Sequence, residues 1–197
     1  MDITAVTFDY KTDVVSQKQF DEHMKLYKGY VDKTNEISHK LVEQPDLANA
    51  NAVYSSYRAL KTGESFALDG VILHELYFQN MVVESDSLGK IGQNTLKAMN
   101  KYWGSVNNWM AAFVATALSA RGWCMCVYEQ RTQTCRNLAT DSHDDGLVCG
   151  AYPLIVLDMY EHAYFIDYGT NKASYIHRFL ERLPWEVIED RVSAVVH

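Results

Sequence analysis

The chain has 197 residues, of which 48% are hydrophobic and 22% charged, so it carries enough apolar side chain to bury a sizeable core and reads as a globular protein. Its 18 Lys+Arg against 25 Asp+Glu leave a formal charge of −7, which repels a phosphate backbone and argues against nucleic acid as the partner. No stretch approaches the roughly 18 consecutive apolar residues of a bilayer span, and the first residues lack a basic region followed by an apolar one; a cytoplasmic protein without membrane contact is expected.

From Ser16 onward the apolar residues Phe20, Met24, Tyr27, Val31 and Leu41 recur at helical spacing, with Ser16 placed to cap the first turn. Segments 53–60 and 65–82 read as further helices, with Pro45 and Gly63 as breaks, so the first half is predicted to be a helical hairpin. The polar, Gly-containing stretch 82–92 reads as a linker. Helices are expected over 91–102 and over 106–120, the second capped by Ser105 and ending near Gly122. The period then switches to two. Trp123, Met125 and Val127 fall on one face of a strand and Cys124, Cys126 and Tyr128 on the other, followed by a turn over 129–134 and a return strand over 135–140. The apolar run YPLIVL at 152–157 has the pattern of a buried central strand, and the chain turns helical again from Tyr160. The order implies an α+β fold: a helical hairpin domain over 1–84, then an α+β domain over 90–197 with a small three-stranded antiparallel sheet.

Seven histidines direct attention to metal or proton chemistry. His39, His177 and His197 sit in polar or terminal surroundings and read as solvated. His74 lies in GVILHELYFQNM (70–81), where an imidazole without a partner is costly, so it is either a hydrogen-bonded core histidine or a ligand. His23 shares a helix face with Phe20 and Tyr27, and the same two readings apply. Asp158 ends the apolar strand and His162 follows four residues later, so the two converge beneath the sheet. Asp158 is either the cap of the next helix or an ionised group compensated by a cation. Together these residues make a set suited to iron, manganese or zinc. The cysteines lack C-x-x-C spacing and read as small buried hydrophobes.

These segments resemble the iron/manganese superoxide dismutase family. DMYEHAYFIDY at 158–168 is similar to its D-x-W-E-H-A-Y-Y signature, HELYFQNM at 74–81 to H-x-x-F/Y-W-N-x-L, HMKLYKGYVDKTN at 23–35 to the first-helix ligand followed by Y-V-x-x-x-N, and Gly122-Trp123 to the end of G-S-G-W. The resemblance implies His23, His74, Asp158 and His162 as ligands of one iron or manganese ion per subunit, with a solvent molecule as fifth ligand and superoxide as substrate. It implies Tyr30 as the tyrosine beside the substrate channel, Trp123 as an aromatic wall, and His143 as the donor to the bound solvent, a role that Gly70 leaves open on the N-terminal side; apart from the resemblance, His143 among Asp141, Asp144 and Asp145 reads as an exposed loop histidine. Lys28 and Lys172 are candidate steering charges, with plain solvated surface as the other reading.

The chain also departs from the family pattern. His23 and Tyr30 are one residue closer than in most members, so either the first helix lacks a local bulge or Glu22 occupies the ligand position. Tyr160, Phe78 and Met125 stand where the family has tryptophans. Phe165 and Leu26 replace a tyrosine and histidine that bond across subunits, so both polar partners are lost together. Glu161 remains, and the resemblance places it against His162 of the partner subunit, in a homodimer or a dimer of dimers. The competing expectation is a catalytically silent metal-binding or structural homologue.

Overall fold

The computed structural model of the chain describes residues 2–43, 45–81 and 90–195; most of the predicted linker, and His197, lie outside them. Helix α1 (Gln17–Glu43) begins where expected: the Ser16 hydroxyl accepts from the Gln19 N–H at 3.2 Å. It buries Phe20, His23, Met24, Tyr27, Val31 and Ile37 along one stripe. Helix α2 (Ser56–Met81) runs antiparallel to it and is continuous. The predicted break at Gly63 does not occur. A Cβ at Gly63 would lie 3.2 Å from Ile37 Cδ1, so glycine at this position serves close helix packing, at a propensity cost of about 1 kcal/mol that the rest of a 26-residue helix absorbs. The predicted start at 53 also moves: Val53 and Tyr54 are exposed, and the Ser55 hydroxyl caps the helix through the Arg58 N–H.

Helix α3 (Gln93–Trp103) ends at Gly104, and α4 (Val106–Ser119) is capped by Ser105 accepting from the Asn108 N–H. Strands β1 (Trp123–Glu129), β2 (Thr134–Ala139) and β3 (Ala151–Asp158) form one antiparallel sheet in the order β2-β1-β3. The expectation that the apolar run ending at Leu157 is the central strand is therefore corrected: β1 is central and β3 lies at an edge. The free edge of β3 is covered by helices rather than by a fourth strand, which is why it reads as apolar throughout. Asn80 Oδ1 of α2 accepts from the Val156 N–H at 2.9 Å. After β3 a 3-10 turn (Glu161–Ala163) leads into a four-residue helix α5 (Phe165–Tyr168), α6 (Lys172–Glu181) and α7 (Trp185–Val195). The single helix expected from Tyr160 is thus interrupted, by Gly169 at φ 52° and by Pro184 before α7.

Arg191 of α7 completes the cover of β3, donating to the Leu154 carbonyl at 2.8 Å and to Gln79 Oε1 at 2.7 Å. Arg191→Leu strands that carbonyl, at a cost of about 2–3 kcal/mol. The expected thermal midpoint falls by roughly 5–10 °C, read by circular dichroism; an unchanged midpoint would show that the edge needs no polar cover.

Candidate metal centre

Four side chains meet where the hairpin rests on the end of the sheet. His23 comes from α1, His74 from α2, Asp158 from the last position of β3, and His162 from the 3-10 turn. Their donor atoms all lie within 4.8 Å of one another. Asp158 is at the centre, its Oδ2 lying 3.1 Å from His23 Nε2, 3.7 Å from His74 Nε2 and 3.1 Å from His162 Nε2. His23, His74 and Asp158 are buried, while the His162 side chain is 34% exposed.

The two oxygens of Asp158 have different partners. Its Oδ1 accepts from the Tyr160 N–H at 2.8 Å, a local turn and not the expected cap of the next helix, whose N-cap position is Tyr160 itself, and its Oδ2 faces the imidazoles. The strand end itself is fixed by the Asp158 carbonyl accepting from Tyr175 Oη at 3.0 Å. His74 divides its roles in the same way. Nδ1–H donates to the Gly70 carbonyl at 2.5 Å, which leaves Nε2 with its lone pair toward Asp158.

Whether this group fits a metal is decided by its unpaired atoms. His23 Nε2 and His74 Nε2 are buried and make no directed hydrogen bond, a costly state for two imidazoles unless a cation takes their lone pairs. Three nitrogens and one carboxylate oxygen suit iron or manganese, so the residues fit. Burial pushes the His74 imidazole down to about 3 and likewise lowers His23. Burial would raise the Asp158 carboxyl, but the contacts from His162 and His23 outweigh it and hold it below the ordinary range. His23, His74 and Asp158 thus stay in their ligating protonation states, two neutral imidazoles and an ionised carboxylate, below neutral pH.

A pH dependence of the metal-free chain follows. His74, at about 3, and His143, at about 4, each take up a proton later than the ordinary 6.5 of an unfolded histidine. The unfolded chain therefore binds more protons between those values. Their contribution to stability is complete above about 6.5 and is lost as pH falls toward 4 and then 3, at roughly 1.4 kcal/mol per pH unit for each group. Urea unfolding of metal-free protein at pH 7, 5 and 4 checks this; a free energy flat across that interval would contradict it.

Around the four donors lies an aromatic wall. The Trp123 indole Nε1–H donates to His143 Nδ1 at 2.9 Å, and both residues are buried. His143 is thus an interior group, although its neighbours Asp144 and Asp145 are exposed. Tyr30 sits seven residues after His23 on an unbroken α1, two turns on and so on the same face. Its ring lies 4.7 Å from that of His143 and 5.3 Å from that of His74. This answers the register question: α1 carries no bulge, His23 is the inward residue, and Glu22 is exposed. A Cβ at Gly70 would lie 3.0 Å from the Tyr30 ring and 3.4 Å from that of His143; glycine there lets the two rings meet. Tyr160 stacks on His162 at 5.2 Å and lies 5.4 Å from His143.

The remaining predicted residues lie at the rim. Glu161 is exposed beside His162. The Lys172 ammonium donates to the Ala120 carbonyl at 2.7 Å and lines an open cleft with Arg121, Tyr160, Glu161 and His162. Lys28 lies apart, in a surface hollow of mixed charge with Asp21, Glu22 and Lys25. Cys124, Cys126 and Cys135 are buried and free, and Cys149 is exposed and free. Two residues near the site were missed from sequence. Phe66 lies 4.5 Å from the His143 ring. Gln19 is 1% exposed and bonds the His162 backbone. An amide one turn before His23 on an otherwise apolar stripe was the available signal for the second.

A family model described as iron/manganese superoxide dismutases, C-terminal domain, matches residues 91–191. The iron superoxide dismutase of Aquifex aeolicus is 35% identical over 180 residues, 90% of this chain and 84% of that protein. The iron superoxide dismutase of Cupriavidus metallidurans is 34% identical over 183 residues, 90% and 87% respectively. The manganese superoxide dismutase 1 of Halobacterium salinarum is 32% identical over 170 residues, 86% and 82%.

Proposed function

The chain belongs to the iron/manganese superoxide dismutase family, and from that premise we propose that superoxide disproportionation runs at one iron or manganese ion held by His23, His74, Asp158 and His162. The observation that carries the ligand assignment is the pair of buried, unpartnered imidazole nitrogens facing one carboxylate oxygen. The bound metal supplies one-electron chemistry: one superoxide is oxidised to oxygen, and a second takes up that electron and two protons to leave as hydrogen peroxide.

The protein's own groups orient the substrate and handle the protons. His143 accepts from Trp123 at Nδ1 and therefore carries its proton on Nε2 as a neutral donor; burial, the largest influence, keeps it neutral down to about 4. Burial and the Asp158 charge raise the Tyr30 phenol, so it holds its proton at neutral pH and is ready to donate. Trp123, Phe78 and Tyr77, all buried around the donors, exclude bulk water. Lys172 and Arg121 bring positive charge to the cleft that His162 also lines, and because salt screens charge beyond roughly 8 Å, this local field counts for more than a net −7 spread over the surface.

The same reading extends to assembly and location. We assign the hairpin 1–84 and the α+β part 90–197 as the two domains, each giving two ligands. Exposed Phe165 and Ile166, at 48% and 49%, adjoin Glu161 and the open edge of His162, which supports a homodimer closing over this edge. Among the described residues no helix is long and apolar enough to cross a membrane. The free cysteines support a reducing, cytoplasmic location. Retention of all four donors speaks against a silent homologue.

Purified protein is expected to carry one iron or manganese per chain by elemental analysis, to accelerate superoxide decay in stopped flow, and to sediment as a dimer. Metal bound without turnover would favour the binding homologue; no metal affinity would sink the assignment.

A further inference from the structure

We propose that Gln19 is a positioning residue for the metal centre, setting the place of the His162 imidazole by clamping its backbone to α1; this deepens the ligand reading above and rests on it. Gln19 lies one helical turn before His23 and is 1% exposed. Its Nε2–H donates to the His162 carbonyl at 2.5 Å and its Oε1 accepts from the Ile166 N–H at 3.0 Å. Both faces of the amide are used, one on a ligand residue and the other on the first turn of α5.

His162 needs such a brace more than the other donors do. His23 and His74 sit in helices of 27 and 26 residues, and Asp158 ends a paired strand. His162 sits in a three-residue 3-10 turn followed by a four-residue helix, pieces too short to hold their own geometry. Gln19 joins this turn to the helix that carries His23, so the separation of two donors is set through one side chain. Two further bonds tie the same stretch to the start of α1: the Ser16 N–H donates to Asp167 Oδ2, and the Tyr168 hydroxyl to the Val14 carbonyl. These hold α5 but do not touch His162, which makes them internal controls.

The test uses full-length, metal-loaded protein and compares Gln19→Leu and Gln19→Glu with Asp167→Ala and Tyr168→Phe. Glutamate keeps the size and the acceptor for Ile166 but loses the donor to His162, so it carries the test if the leucine variant fails to fold. The readouts are the rate of metal transfer to a chelator, the visible band of the loaded metal, and the thermal midpoint. Both Gln19 variants are expected to release metal about tenfold faster or more, the scale for outer partners of metal ligands, with a displaced band. Asp167→Ala and Tyr168→Phe are expected to release metal at the parental rate even where their midpoints fall. Parental release rates in both Gln19 variants, or equal acceleration in the control variants, would overturn the positioning role while the parent still holds metal. A parent that retains no metal would overturn the ligand assignment as well.

Discussion

Asp158→Asn is expected to leave a folded chain that cannot keep its metal. The amide keeps the side-chain volume and the Oδ1 bond to the Tyr160 N–H, and the strand end stays fixed by Tyr175 on the Asp158 carbonyl. What goes is the negative oxygen that lies 3.1 to 3.7 Å from three imidazoles. That oxygen is the one anionic donor in the set, and without it a divalent or trivalent ion is bound by neutral groups alone. Loss of an outer partner already costs about 10–100-fold in affinity, so loss of this ligand is expected to cost more than about 100-fold, with superoxide turnover falling at least as far. Elemental analysis after dialysis against a chelator, beside stopped-flow decay, measures both. The metal-free variant is expected to unfold within about 5 °C of the metal-free parent, an interval worth roughly 1–2 kcal/mol for a chain this size, which separates ligand loss from misfolding. A variant that retained stoichiometric metal would remove Asp158 from the ligand set.

How much of this could be read from the residues differs by element, for physical reasons. The helices of the hairpin were legible because one face is buried and the other solvated, so the stripe from Phe20 to Ile37 repeats with helical period. Strand β3 was visible as a strand but misplaced within the sheet. An apolar run reports that both faces and the edge are covered; it does not report whether the cover is another strand or, as here, α2 and α7 through Asn80 and Arg191. Gly63 misled for a related reason: a glycine that ends a helix and one that admits a neighbour to 3.2 Å look the same in one dimension. In the site, Asp158 and His162 stood out because a buried strand that ends in a carboxylate needs compensation. His23 and His74 were ambiguous singly and gained meaning only through the resemblance. For His143 the neighbouring aspartates pointed outward to solvent, and the bond to Trp123 that fixes it is 20 residues away in sequence. Gln19 offered only its place as an amide on an apolar stripe, and its role stayed unreadable because its partners lie 143 and 147 residues further on.

His143→Leu tests the proton-handling side of the centre. The residue donates nothing to Asp158 and is not among the four clustered donors, so metal retention should stay parental. Its place between the Trp123 indole, 2.9 Å from Nδ1, and the Tyr30 ring, 4.7 Å away centre to centre, makes it the link between the wall and the channel tyrosine. Leucine keeps that wall apolar and removes the Nε2–H donor. Loss of one aimed donor costs about 100–1,000-fold in turnover where charge develops in the reaction, and a loss near 100-fold is expected here. The midpoint of a redox titration of the loaded protein should move too, because a donor near a metal favours one oxidation state over the other. Glutamine offers Trp123 an acceptor and the cavity an N–H donor, so His143→Gln is expected to recover to within about tenfold of the parent. Trp123→Phe removes the bond that keeps the proton on Nε2 without touching His143 itself; losing that share of the correct tautomer is worth about 1.4 kcal/mol, or about tenfold in rate. Full activity in His143→Leu, with metal loaded, would move proton delivery to Tyr30 and solvent alone.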